Sequence, residues 1–240
     1  MQIYNKHTSF DHVAEFLNSH YMLDDTTIVL GYLMCTYEEI LELKNSTKRL
    51  IILQLEQVSP HLFDMNPIWL DILYAADEIW DYDNINAQIL KTYGLKVSNV
   101  IRFSYTKSLD RITHIEKDID VLFYGSINNK RLELFDSIKA EIPYSLNIVT
   151  DAFGSVLDDY ISRSKIILNC HYYETDVQEQ VRIFYPLCNG SCVVSEHNEF
   201  NNFDDSIFDV KRENIPVVLH SILRTEAWKT KMKFVRERFI

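Results

Sequence analysis

Gly125 and Ser126 close a strand-like run, Asp120–Tyr124, and Arg131 follows five residues later. These residue types suit an anion. Glycine lets backbone approach a ligand closely, and a helix starting here offers free N–H groups and the positive end of its dipole. Asn128 or Asn129 can cap that helix, which puts Lys130 and Arg131 in its first turn. Cations at that end oppose the dipole, and an anion held by the N–H groups and the guanidinium resolves the conflict. The same residues also fit a solvated basic turn, which costs little when exposed.

A second segment runs from Thr175 to Tyr185. Thr175 with Gln178, or Asp176 with Glu179, forms a capping box, which predicts a helix over 176–188. Asn189-Gly190 stops it, and Pro186 loosens its last turn. Val181, Phe184 and Cys188 make a core stripe, while Glu179, Arg182 and Tyr185 fall three apart on another face. Arg182 then needs a partner: Glu179 in a purely structural reading, a ligand diphosphate in a functional one.

Carboxylates and a histidine stand at the ends of other apolar runs. Glu56 follows Leu50–Leu55, where catalytic groups of open α/β sheets lie, and is a candidate general base or an ordinary loop carboxylate. Ser59-Pro60-His61 marks a loop beside it. Asp81, Tyr82 and Asn84 follow the strand-like Ile79-Trp80, and either line a site or, through Asp81 or Asn84, cap a helix near 84. Gly31-Tyr32 ends the first run. His171 ends Ile166–Cys170 and, with Tyr172, Tyr173 and Glu174, faces a ligand or makes a local hydrogen bond. Asp81-Tyr82-Asp83 and Asp118-Ile119-Asp120 have the spacing of metal-binding acidic pairs, but the second lies at the start of a strand, the wrong end for a ligand.

The elements that position these residues alternate along the chain. Short runs rich in Ile, Val, Leu and Tyr occur at Thr27–Leu33, Leu50–Leu55, Val97–Phe103, Asp120–Tyr124, Leu146–Val149, Ile166–Cys170 and Cys192–Ser195. They suit strands buried on both faces. Helical patterns lie at 10–20, 36–44, 67–76, 84–93, 129–140, 154–163, 176–188 and 217–238. The alternation predicts an α/β fold of two Rossmann-like domains, with parallel sheets and helices on both faces. Ser104–Lys117 is polar and without periodicity, and reads as a linker between domains over 1–104 and 118–216. The last helix, within 217–240, is expected to pack back on the first domain.

Composition excludes several classes. The chain has 240 residues and a formal net charge of −11, which argues against broad nucleic-acid binding. A basic last helix (Lys229, Lys231, Lys233, Arg236, Arg238) argues modestly the other way. No 18-residue apolar run and no N-terminal signal region appear, so a cytoplasmic protein without an integral membrane segment is expected. Four scattered cysteines read as free thiols. Neither GxGxxG nor GxxxxGK[ST] occurs, so classical dinucleotide and P-loop sites are not supported.

Asp120–Arg131, Leu168–Glu174, Glu179–Arg182 and Val193–Glu196 resemble the strings DVLFYGSxNxRR, LNxHYYE, ExVR and VVSE of small bacterial GT-B glycosyltransferases. Gln54–Gln57 and Ile79–Tyr82 resemble that group as well. A looser similarity runs to phage DNA β-glucosyltransferases. The resemblance implies transfer of a sugar from a nucleotide-sugar donor to an acceptor hydroxyl. Gly125, Ser126, Asn128, Arg131, His171, Glu179, Arg182 and Tyr185 would form the donor site, with no cofactor and no metal required, because two arginines can neutralise the leaving diphosphate. Tyr185 stands where the family carries the acid that grips the donor ribose, and Glu179 is the neighbouring substitute. Glu56 would be the catalytic base. Gly31, Tyr32 and Asp81 would lie on the acceptor side, and the acceptor would be a surface glycan or a hydroxymethylated DNA base. A nucleotide-binding module without turnover and a purely structural α/β protein remain alternatives.

Overall fold

Each apolar run contains a parallel strand, and consecutive strands of a sheet are bridged by α-helices except the last two, which a loop with a 3-10 turn joins. The computed structural model describes residues 1–59, 62–173 and 177–240. The chain divides into two compact units, Met1–Phe103 and Ser104–Ile240. The first comprises β1 (Gln2–Asn5), α1 (Asp11–His20), β2 (Thr26–Leu30), α2 (Tyr37–Ser46), β3 (Arg49–Leu53), α3 (Leu62–Met65), α4 (Ile68–Ala75), β4 (Glu78–Asp81), α5 (Asn84–Thr92) and β5 (Val97–Val100). Its sheet runs β1-β2-β3-β4-β5, all parallel. Residues 28–30 of β2 and 50–53 of β3 are wholly enclosed, so both faces of the sheet centre are covered.

The second unit comprises β6 (Ile119–Tyr124), α6 (Asn129–Glu141), β7 (Leu146–Val149), α7 (Gly154–Arg163), β8 (Ser164–Asn169), α8 (Gln180–Cys188), β9 (Val193–Glu196), β10 (Phe208–Val210), α9 (Ile215–Arg224) and α10 (Ala227–Arg238). Its parallel sheet runs β10-β9-β8-β6-β7. Val121, Phe123, Ile166 and Leu168 pack with α6, α9 and Trp228 of α10 on one face. Leu122, Ile167 and Val193 alternate away from them, as strand geometry requires. The chain moves from β6 outward to β7 and then returns past β6 to β8. The crevice between the ends of β6 and β8 is therefore a topological switch point, where open α/β sheets bind ligands.

The structure differs from the sequence expectation at several places. β1 and β10 are half-exposed edge strands too short and polar to form an apolar run. The stretch 217–238 is two helices, broken where Glu226 takes a left-handed φ of 55°. α8 starts at Gln180, not 176; Thr175 and Asp176 of the expected capping box lie outside the described residues, as do Glu174, Pro60 and His61. Asp83, rather than Asp81 or Asn84, caps α5, through a 2.7 Å bond from the Ile85 N–H.

The segment 104–117 lies within the second unit, and the buried Asn189 is among the residues that hold it there. Asn189 Oδ1 accepts from the N–H groups of Arg111 (3.0 Å) and Ile112 (2.9 Å). The Asn189 carbonyl also accepts from His114 Nε2 at 2.6 Å and Arg236 at 2.9 Å. Gly190, just past the end of α8 with φ 69°, leaves room for Arg236; a Cβ there would stand 2.2 Å from Arg236 Nε. Gly190→Ala is expected to cost about 1–2 kcal/mol from the left-handed backbone alone, plus the displaced Arg236 bonds. Denaturant unfolding of Gly190→Ala with and without Arg236→Ala separates the two: the second change should remove the steric part and leave the backbone part.

Candidate functional site

Pro186 sits inside α8 and has no N–H to give to the carbonyl four residues back, that of Arg182. The Tyr124 hydroxyl, at the end of β6, donates to that carbonyl at 2.6 Å. The bond ties the backbone of Arg182 to the strand end that precedes Gly125. Gly125 has φ 128°, and a Cβ on it would lie 2.6 Å from Arg182 Cζ and 2.8 Å from both terminal nitrogens. Arg182 thus lies directly on the glycine backbone, with its guanidinium carbon 5.8 Å from the Phe123 ring centroid. Its Nη1 is buried and has no hydrogen-bond partner.

Arg131 is the opposite case. It is fully enclosed, and its guanidinium donates to the carbonyls of Cys170 (3.0 and 2.5 Å) and Ser126 (2.7 Å), and to Glu179 Oε1 at 3.5 Å. The rings of Phe123 and Tyr172 stand 5.0 and 5.1 Å from its Cζ. Burial, with Arg182 facing it, pulls its pKa down to about 10. The positive charge in the first turn of α6 is therefore met by carbonyls and Glu179. Asn128 supplies the cap: its Oδ1 accepts from the Arg131 N–H at 3.0 Å and its Nδ2 donates to the Tyr172 carbonyl at 2.7 Å. Together these bonds join the loop after β6 to the loop after β8.

His171 holds the next part of the edge. Its Nδ1 lies 2.8 Å from Glu179 Oε2 and its Nε2 lies 3.0 Å from the His197 carbonyl. Both neighbours only accept, so both ring nitrogens carry hydrogen and the ring is an imidazolium. Burial disfavours that charge, but Glu179, the His197 carbonyl and Glu196 outweigh it and raise the His171 pKa. Burial likewise opposes ionisation of Glu179, yet His171, Arg182 and Arg131 hold it down at about 2. Glu179 also accepts from the Tyr172 N–H at 3.0 Å, which explains why its side chain does not cap α8. Glu196, at the end of β9, accepts from the His171 N–H (2.9 Å) and Arg212 (3.2 Å).

Among the described residues, Arg131 and His171 pair with Glu179, Arg212 pairs with Glu196, and the charge of Arg182 acts on Glu179. Gly125, Ser126, Asn128, Arg131, His171, Glu179 and Arg182 are brought together. Tyr185 is turned elsewhere: its hydroxyl donates to Asp158 and accepts from Arg111 Nε at 3.2 Å. Glu179, the substitute ribose contact, has its carboxylate committed to protein groups. Asn169, Glu196 and Arg212 were not singled out in sequence; the first two stand in strings that carried the resemblance, at the last residue of β8 and of β9. Asn169 Nδ2 donates to Ser195 Oγ at 3.1 Å and its Oδ1 is buried without a partner.

In the first unit, Glu56 is half-buried beyond the end of β3, its N–H bonded to Gln54 Oε1 at 2.9 Å and its carbonyl to Asn86 Nδ2 at 2.9 Å. Gly31 takes φ 74° and begins the 3-10 turn that carries the enclosed Tyr32. Asp81 is wholly buried, and its Oδ1 accepts from the N–H groups of Tyr82 (2.7 Å) and Asp83 (2.9 Å) and from Asn86 (3.0 Å). Asp118 and Asp120 pair with Arg163 and Lys165 at the opposite end of β6. Lys229, Lys233 and Arg236 are ion-paired, and Lys231 donates to the Asp205 carbonyl. Among the described residues no group of three His, Cys, Asp or Glu side chains could hold a metal ion, and no helix is long and apolar enough to cross a membrane. All four cysteines are buried and unbridged.

No protein-family model matches the chain. An uncharacterized protein of Acanthamoeba polyphaga mimivirus is 26% identical over 161 residues, which cover 66% of this chain and 17% of the mimivirus protein. This chain thus spans about a sixth of that relative's length. Two solved structures share the fold. One is an alpha-glucosyltransferase in complex with UDP and a 13-mer DNA containing an HMU base, at TM-score 0.50 and 10% identity, covering 95% of this chain and 82% of that one. The other is an alpha-glucosyltransferase in complex with UDP and a 13-mer DNA containing a central A:G mismatch, at TM-score 0.53 and 12% identity, covering 98% and 80%. The two parallel five-stranded sheets flanked by helices match the two-domain Rossmann-like architecture of GT-B proteins.

Two outcomes follow from this geometry. Tyr124→Phe is expected to cost about 1–3 kcal/mol by stranding the Arg182 carbonyl. In a Pro186→Ala background, where the helix supplies an N–H, most of that cost should vanish; additive unfolding free energies would show that the two groups do not share the carbonyl. The His171–Glu179 pair gives the second. His171 is raised above 6.5, so its contribution is complete below 6.5 and is lost as pH rises through its folded value. Glu179 is lowered from 4.5 to about 2, so its contribution is complete above 4.5 and is lost as pH falls toward 2. NMR titration should place the His171 midpoint above 6.5, and Glu179→Gln should lower it.

Proposed function

We propose that this chain is a nucleotide-sugar-dependent glycosyltransferase whose second unit holds the donor diphosphate. The observation that carries the reading is Arg182: a buried guanidinium nitrogen without a partner, set against Gly125 at the switch point of a parallel sheet. A phosphate oxygen is the acceptor such a group lacks. Arg131, Glu179, His171 and Asn128 build the loops that hold Arg182 and the Gly125-Ser126 backbone in place, while the two arginines neutralise the diphosphate as it leaves. This requires no metal. UDP in the two glucosyltransferase complexes of the same fold supports a nucleoside diphosphate as the ligand.

On the acceptor side we assign Glu56 as the general base that takes the proton of the attacking hydroxyl. Its position beyond a strand end and its backbone, held on both sides, support that role. The acceptor is a hydroxyl of a surface glycan or of a hydroxymethylated base in DNA; the DNA in the neighbouring complexes favours testing the second first.

Titration of the protein with UDP, with and without Mg²⁺, tests the donor site. Binding should persist in EDTA and raise the melting temperature by mass action. Arg182→Ala should weaken UDP by at least about tenfold, the loss of one charge-assisted bond, without lowering the melting temperature of the free protein. Unchanged UDP affinity in that variant would remove Arg182 from the site. Glu56→Gln should leave UDP affinity as it is and depress transfer to glycan or hydroxymethylated DNA.

A further inference from the structure

His114 is the reverse of His171. Its Nε2 lies 2.6 Å from the Asn189 carbonyl and its Nδ1 lies 2.6 Å from Lys117 Nζ. A carbonyl only accepts and an ammonium only donates, so Nε2 carries the hydrogen, Nδ1 offers its lone pair, and the ring is neutral. Lys117 Nζ also donates to the Ser162 carbonyl at 2.6 Å, and the Ile115 N–H reaches the same carbonyl at 3.4 Å. Residues 114–117, which lead into β6, are thus tied to the end of α7 by an amine that the ring holds in place.

The charges around the ring favour this neutral form. Lys117 and Arg236 of α10, both positive, act on it. Asp110, an acid of the same segment, is held by Arg236 Nη1 at 2.8 Å. On α7, Arg163 pairs with Asp118 and Asp159, and Asp158 is engaged by Arg111 and by Tyr185 of α8. Burial, Lys117 and Arg236 lower the His114 pKa from 6.5, against the pull of the Asn189 and Ser162 carbonyls. Burial lowers Lys117 to about 8, so the amine still takes its proton before the ring does.

We propose that His114 and Lys117 form an acid-released latch: a proton on His114 Nδ1 expels Lys117 and frees residues 114–117 from α7. The proton turns a lone pair into a donor, and two donors then face each other where one bond stood. Arg111 and Ile112 stay in place, because their N–H groups are held by Asn189 Oδ1 and no titrating group takes part in those bonds. The neutral ring belongs to the closed latch. Its contribution is therefore complete above 6.5 and is lost as pH falls through the folded His114 midpoint. The latch is independent of the donor site and of Glu56.

NMR titration of the histidine rings, with amide hydrogen exchange of the full chain corrected for its intrinsic pH dependence, tests the latch. The His114 midpoint should lie below 6.5. Protection of the Ile115 amide should fall between 6.5 and that midpoint by up to about tenfold per pH unit, while protection of the Ile112 amide holds. Lys117→Met removes the opposing ammonium, so it should raise the His114 midpoint and flatten the pH dependence at Ile115. A midpoint at or above 6.5, an Ile115 amide indifferent to pH, an Ile112 amide released in parallel, or a pH step that survives Lys117→Met would each overturn the proposal. Should Lys117→Met not fold, the contrast between Ile115 and Ile112 in the unaltered chain decides alone.

Discussion

A missing hydrogen organises the second unit. Pro186 cannot bond the carbonyl of Arg182, and the pyrrolidine ring crowds that carbonyl outward. Tyr124 meets it from the end of β6. One bond thus fixes the helix against the strand that leads into Gly125, and the side chain of Arg182 is delivered onto the glycine. Had residue 186 carried an N–H, α8 would have been self-sufficient here, and this backbone tie between its register and β6 would be lost. A helix defect is converted into a positional constraint on a cation.

The other charges serve that placement. Arg131 fills its donors with carbonyls from two loops, the one after β6 and the one after β8. His171 and Glu179 lock the second loop to the start of α8, and Glu196 with Arg212 extends the lock to β9. Buried ion pairs contribute little to net stability once desolvation is counted. What this set supplies is geometry: it holds in place the loops that frame Arg182.

Much of the architecture was legible because strands buried on both faces leave apolar runs that cannot be confused with amphipathic helices. β2, β3, β6 and β8 were visible for that reason. Two of the four edge strands were not, since β1 and β10 bury one side or less, and β4 showed only as the strand-like Ile79-Trp80 because it carries Glu78 and Asp81 among its four residues. In the candidate site, sequence marked both arginines and put Arg131 in the first turn of its helix, as the structure has it, whereas Arg182 was expected inside a helix that in fact begins two residues before it. It could not tell that one would be saturated and the other left open, because that depends on the carbonyls of Cys170 and Ser126, which no side-chain pattern reports. Glu179 was expected to serve the helix as a cap or Arg182 as a partner, but His171 and the Tyr172 N–H compete for the same oxygens and hold them. Tyr185 followed the helical spacing faithfully and still faces Asp158, since three-residue spacing turns progressively around a helix.

The open nitrogen of Arg182 and the unpaired oxygen of Asn169 also set the direction in which this protein can change over generations. Unmet polar groups in an interior are free energy withheld from folding, and natural chains lie above a stability threshold rather than at an optimum. A lineage selected only for heat resistance would find apolar replacements at position 182 among its easiest gains. A lineage selected for ligand capture would forbid them. On the proposed role of Arg182, position 182 is where thermal adaptation and ligand capture exert opposed selection, and the residue a relative carries there records which of the two prevailed.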